Sequence, residues 1–146
     1  MKKHLVLILI LFFVAVTIYF IFERPKSVSQ IELGGKVFSV EIADTNLTRE
    51  MGLSGHVPLL DTQGMLFVFD KPGNYGFWMK DMVFPLDIIW FDEKLSITHI
   101  ETSLSPNSYP TVFSSQVPSE YVLEINAGES TLLNLKIGDK LKFLGK

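Results

Sequence analysis

Between Gly64 and Asp92 the chain reads GMLFVFDKPGNYGFWMKDMVFPLDIIWFD, a stretch with both tryptophans, five of the twelve phenylalanines and three of the five methionines. Large apolar side chains at this density must form the core of a domain. The charges set among them, Lys80 and Asp87 above all, must then be paired, hydrogen-bonded or exposed. Met65 to Phe69 reads as a strand buried on both faces, Lys71-Pro72-Gly73-Asn74 as a turn, Tyr75 to Lys80 as a second strand and Pro85 to Asp92 as a third.

The flanking sequence supplies the rest of the sheet. Gly34-Gly35 separates two alternating runs, Gln30 to Leu33 and Lys36 to Ala43, as in a hairpin, with Phe38, Val40 and Ile42 on one face. Thr45 is placed to cap a two-turn helix from Asn46 to Gly52, too short to stand without packing by Leu47 and Met51. Leu95 to Glu101 alternates. A polar loop with three prolines then runs from Thr102 to Glu120, before a strand at Tyr121 to Ile125, a short helix over Ala127 to Leu135 and a last strand at Lys140 to Leu144. A loop of that length is usually functional or mobile. Many short strands with two short helices leave no room for helical crossovers. The expected fold is therefore α+β and mainly β, a small, strongly curved or barrel-like antiparallel or mixed sheet.

Ahead of this domain, Leu5 to Phe22 is apolar apart from Thr17. At about 1.5 Å per residue its 18 residues span roughly 27 Å as a helix, close to the ~30 Å hydrocarbon core of a bilayer. A cleavable signal has a shorter apolar region ending at small residues. Ser27-Val28-Ser29 is a weak candidate for such a site, so the expectation is one uncleaved transmembrane helix within residues 1–26 and one extracytoplasmic domain over 27–146. The alternative is a secreted or periplasmic domain released by cleavage. Lys2 and Lys3 favour a cytoplasmic N-terminus, a bias weakened by Arg24 and Lys26.

From Ser27 onward there are 9 basic and 15 acidic side chains, a net of −6. That balance, with no basic run, sets nucleic acid aside as a partner. The chain has no cysteine, which removes disulfides, thiolate nucleophiles and Cys-ligated metals. His4, His56 and His99 have no ligand spacing, and Gly34-Gly35 is a turn rather than a phosphate loop, so neither metal nor cofactor is expected.

Several motifs in series resemble the domain of unknown function 192 family. They are Val40-Glu41-Ile42-Ala43-Asp44-Thr45, Arg49-Glu50-Met51-Gly52-Leu53, Gly64 to Phe69, Phe77-Trp78-Met79-Lys80-Asp81, Pro85-Leu86-Asp87-Ile88, Tyr121 to Ile125, Ala127-Gly128 and Ile137-Gly138-Asp139. The resemblance covers nearly all of Gln30 to Phe143 and implies a compact, mainly β domain, commonly exported or membrane-tethered, with no established activity. Many relatives carry Cys-Pro in the loop before the Tyr-Val-Leu-Glu strand. Here that loop reads Ser105-Pro106, so a thiol role is absent.

Four residues are candidates for contact with a ligand: Arg49, Trp78, Lys80 and Asp87. Asp87 sits among Leu86, Ile88, Ile89, Trp90 and Phe91, where a lone carboxylate costs several kcal/mol, so it needs a cation, backbone donors or a proton. Arg49 and Lys80 are the natural cations. One reading is a structural ion pair, the other a polar pocket where the three converge beside Trp78. Trp78 and Lys80 share a strand face, as a stacking platform with a cation for an anionic group, or as a core face that Lys80 covers. Trp90 is the better core residue, which leaves Trp78 for a rim. Glu50, Asp81 and Glu124 are candidates for a hydrolytic carboxylate pair, which requires two groups about 5 to 9.5 Å apart. No nucleophile elbow or other catalytic motif is present. The expected function is binding of a small ligand, a glycan or an envelope protein. The alternatives are a hydrolase using a carboxylate with Arg49 or Lys80, and a scaffold for a membrane protein.

Overall fold

A computed structural model describes residues 10–14 and 28–145. The predicted transmembrane run, Leu5 to Phe22, lies for the most part outside the described residues. Among those, no helix is long and apolar enough to cross a membrane.

Strands β1 (Val28–Leu33), β2 (Lys36–Ala43), β3 (Gln63–Gly73), β5 (Leu86–Phe91), β6 (Ile97–Leu104), β8 (Ser119–Asn126) and β9 (Lys142–Leu144) form one sheet in the order β6-β5-β8-β3-β2-β1-β9. Strands β4 (Gly76–Phe77) and β7 (Phe113–Ser114) form a separate two-stranded sheet. The predicted strand over Tyr75 to Lys80 is thus reduced to two residues, and part of the predicted Thr102 to Glu120 loop is ordered as the end of β6, a 3-10 turn at Pro106–Ser108, and β7.

The β1–β2 hairpin forms as expected. Gly34 and Gly35 have φ of 58° and 80°, the left-handed pair that a two-residue turn requires. Between β2 and β3 the pairing is parallel, and the connection carries helix α1 (Asn46–Met51). A crossover therefore exists despite the short helix, because the chain from Gly52 to Thr62 after α1 supplies the reach. Thr45 caps α1 in a reciprocal box with Thr48. Leu47 and Met51, expected to pin it, are 64% and 53% exposed; the buried anchor is Leu53, beyond the C-terminus.

The two edge strands approach each other where Ser96 bridges Lys140, with Leu141 N–H donating to Leu95 O (3.0 Å). No closed barrel results, since β9 is too short to continue the ladder along β6. Both faces of the sheet are packed, so alternate residues of one strand enter different cores. In β5, Leu86, Ile88 and Trp90 point to one core with Met65, Phe67, Phe77 and Val122, while Ile89 and Phe91 point to the other with Ile31, Phe38, Leu66, Leu123 and Ile125. This is why the Leu86–Phe91 run is apolar without alternation. Full burial of a side chain such as Ile88 or Phe91 contributes about 1.5–3 kcal/mol.

Candidate functional site

The alternation of β8 puts a carboxyl group into the first core. Leu123 and Ile125 face the second core, which leaves Val122 and Glu124 on the side of Phe67 and Ile88. Glu124 lies opposite Met65 on β3 and Ile88 on β5, and it is 5% exposed. Its Oε2 has no hydrogen-bond partner, and desolvation raises its pKa to about 8. At neutral pH it is held mainly as the neutral acid.

Glu124 lines a cavity of about 320 Å³ enclosed by α1, the segment following it, β3 and β4. The walls are largely aromatic. Phe67 meets Phe77 edge-on at 4.8 Å between centroids, Phe77 meets Trp90 at 5.8 Å, and Phe69 stacks on Tyr75 at 3.5 Å. Trp90 Nε1–H donates to Tyr75 O (3.1 Å), fixing the chain before β4 against the core.

Arg49 reaches the same cavity from the last turn of α1. Its Nη1 donates to Asp44 O (2.8 Å) and Val68 O (2.6 Å), its Nη2 donates to Asn46 Oδ1 (2.9 Å), and its guanidinium lies 5.3 Å from the Phe69 ring centre. These acceptors are neutral, so the charge is positioned without being neutralised. Trp78 stands at the rim, 54% exposed, with Tyr109 of the β6–β8 connection edge-on at 6.4 Å.

Of the four residues singled out in the sequence, Arg49 and Trp78 meet at this cavity. Lys80 is exposed and outside its lining, touched through its carbonyl by Ser54 Oγ–H (3.0 Å). Asp87 is fully buried and elsewhere: it leaves β5 on the side of the second core. Its Oδ1 accepts from Ser103 N (2.7 Å) and Gly128 N (2.9 Å), and its Oδ2 from Ser130 N (2.8 Å) and Ser130 Oγ. Of the partners such a carboxylate requires, backbone donors are the ones present, and neither Arg49 nor Lys80 pairs with it. Gly128 begins α2 (Glu129–Leu132) with no side-chain cap of its own, so Asp87 caps that helix from a distant strand. Lys36 Nζ to Glu129 Oε2 at 2.7 Å ties the same helix to the β1–β2 hairpin. The three-way convergence of Arg49, Lys80 and Asp87 is therefore not formed.

The sequence shows Glu124 as a carboxyl inside a strand but offers it only as half of a hydrolytic pair. The alternation that puts Leu123 and Ile125 on one face is the signal that could have marked it. Phe69 in β3 and Tyr75 just before β4 gave none, since the strand runs on through the Lys71-Pro72-Gly73 expected to turn. Among the described residues no cluster of three or more His, Cys, Asp or Glu side chains is placed to hold a metal ion.

The family model of DUF192, described as an uncharacterized ACR, matches residues 29–143. The chain belongs to this family. Two solved structures resemble the DUF192 domain. One, from Sinorhizobium meliloti 1021 and provisionally labelled a transcription regulator, is 30% identical with a TM-score of 0.77, over 83% of this chain and 97% of that one. The other, a protein of unknown function from Novosphingobium aromaticivorans DSM 12444, is 32% identical with a TM-score of 0.75, over 79% and 84% of the two chains. No curated protein matches the chain.

Proposed function

We propose that the DUF192 domain is a non-enzymatic small-ligand-binding module, held at the membrane by residues 5–22 and facing the extracytoplasmic side, with the cavity between α1, β3 and β4 as its site. The observation that carries the reading is Glu124. A buried carboxyl with an oxygen lacking any partner costs about 1–3 kcal/mol, and a fold that retains it beside an open cavity gains if a ligand completes the bond. The cavity volume is at the low end of the ~300–1,000 Å³ usual for small-molecule sites, and its aromatic walls with a few polar groups are of the usual kind. An exposed tryptophan at the mouth supplies a stacking surface. The regulator label of the S. meliloti relative is not carried over to this chain, since a domain of net charge −6 is a poor partner for a phosphate backbone.

Tryptophan fluorescence tests the proposal. The chain has two tryptophans, of which Trp90 is buried and Trp78 lines the mouth, so binding in the cavity perturbs mainly Trp78. Soluble envelope fragments, oligosaccharides and small organic acids and amines are titrated into the full chain in a nonionic detergent. A response that survives unchanged in Trp78→Phe removes the cavity as the site.

A further inference from the structure

The polar groups of the cavity restrict what it can hold, provided the site proposed above is the correct one. Arg49 has five N–H donors, and three are used on Asp44 O, Val68 O and Asn46 Oδ1. The remaining two, Nε–H and one Nη2–H, have no acceptor among the described residues. The three bonds that exist hold the guanidinium in place, so little ordering is left for a ligand to impose. Glu124, buried in the lining of the same cavity, has a carboxyl oxygen with no hydrogen-bond partner. The rings of Phe69, Phe77 and Trp78 line the same cavity.

We infer that the cavity takes a small carboxylate with a flat apolar body. Its carboxylate sits on the two unused donors of Arg49, its body lies against Phe69, Phe77 and Trp78, and Glu124 donates a hydrogen bond to it from the neutral acid form. Arg is suited to this role because two parallel N–H groups match the two oxygens of a carboxylate. A cationic ligand meets the Arg49 charge and requires Glu124 to ionise in an apolar setting. A neutral ligand leaves the guanidinium uncompensated. The net negative charge of the domain does not reverse this preference. Charges on the far surface are screened over about 8 Å at physiological salt, whereas the Arg49 contact is direct.

The protonation of Glu124 supplies a readout that a packing role would not move. The charged or titratable groups sharing the cavity with it are Arg49 and Glu50 from α1 and Tyr75 before β4; β3 and β5 contribute Met65, Phe67 and Ile88 to its surroundings. Glu124→Gln keeps the shape of the side chain but cannot ionise, so that variant separates Glu124 from these three groups. A loss of carboxylate affinity as pH rises through about 8 therefore reports Glu124, which turns from a donor into a repelling anion.

The test uses the full chain in nonionic detergent with three isosteric probes, benzoate, benzyl alcohol and benzylammonium. Binding is followed by the indole N–H signals, which Trp78→Phe assigns, to about 10 mM, above the range of a weak Kd near 1 mM. The expected result is that benzoate moves the Trp78 signal with affinity at least about tenfold above the other two. That affinity is expected to drop about tenfold from pH 7 to pH 9. Arg49→Lys weakens benzoate about tenfold or more. Glu124→Gln, which keeps a donor but cannot ionise, retains the affinity at pH 7 and removes its pH dependence, while Glu124→Leu loses affinity at both. If benzyl alcohol or benzylammonium binds at Trp78 as tightly as benzoate, the carboxylate assignment is wrong and the cavity remains a binding site. If none of the three moves the Trp78 signal, the binding function itself fails and the assignment falls with it.

Discussion

Asp87 and Glu124 are buried carboxyls on adjacent strands, one register step apart: Asp87 lies opposite Ile125 and Ile88 opposite Glu124. They leave the sheet on opposite faces. Asp87 meets four donors, three of them backbone N–H groups. Glu124 meets apolar side chains and a cavity. Residue type and burial are thus nearly the same, and the difference lies in what the opposing layer offers. Facing Asp87, α2 and the end of β6 present N–H groups that need an acceptor. On the other face, rings and an opening leave an acid without a partner. A buried carboxyl that is fully satisfied belongs to the architecture, and one that is not marks a place where the molecule is incomplete alone.

This contrast predicts effects of opposite sign. Asp87→Ala strands the N–H groups of Ser103, Gly128 and Ser130, each costing about 1–3 kcal/mol, for a loss of roughly 4 kcal/mol or more in urea unfolding. Little or no loss would show that α2 and its donors rearrange and that Asp87 is not an anchor. Glu124→Leu removes an acid with no partner and gains about 1–3 kcal/mol at pH 8 and above.

The pH dependence has a definite sign. The folded state keeps the Glu124 proton to about pH 8, whereas a free glutamate side chain loses it near 4.5. The folded protein therefore binds more protons between those limits, and stability falls as pH rises across them. It is highest below 4.5, and the contribution of the neutral acid is gone once pH has passed about 8. Urea midpoints at pH 5, 7 and 9 are expected to decline in the parent and to flatten in Glu124→Gln. Equal slopes in both would place a bound partner on Glu124 in solution.

Smaller effects belong to the rim. Arg49→Lys gives up the fork that joins α1 to Val68 O and Asp44 O and costs about 1–2 kcal/mol. Trp78→Phe, at an exposed position, changes stability by no more than about 0.5 kcal/mol while removing the fluorescence response to a ligand. A larger loss would make Trp78 a structural member of the Tyr109 contact rather than a free surface.

The sheet was readable in the sequence where periodicity is local. Phe38 and Val40 on one face of β2, the Gly34-Gly35 turn and the buried Leu86–Phe91 run all follow from spacing within a few residues. The division between a buried Trp90 and an exposed Trp78 was also legible, because Trp90 lies in a run apolar on both sides, which left Trp78 for the rim. What escaped depends on long-range pairing. Two-residue strands such as β4 and β7 have no period to detect, and the donors to Asp87 lie 16, 41 and 43 positions away. Leu47 and Met51 have apolar side chains at helical spacing, yet α1 rests on its cap, the Arg49 bonds and Leu53, so its apolar positions did not mark its packed side.

The pairing of β1 with β9, with Gln30 opposite Leu144 and Glu32 bonded to Lys142 at 2.8 Å, also sets a timetable. β1 emerges from the ribosome first and its outer neighbour last, 110 positions later. At about 5–20 residues per second, that edge stays unpaired for roughly 5 to 20 seconds of every synthesis. Its unpaired backbone donors and acceptors are a template for pairing with another chain throughout that interval.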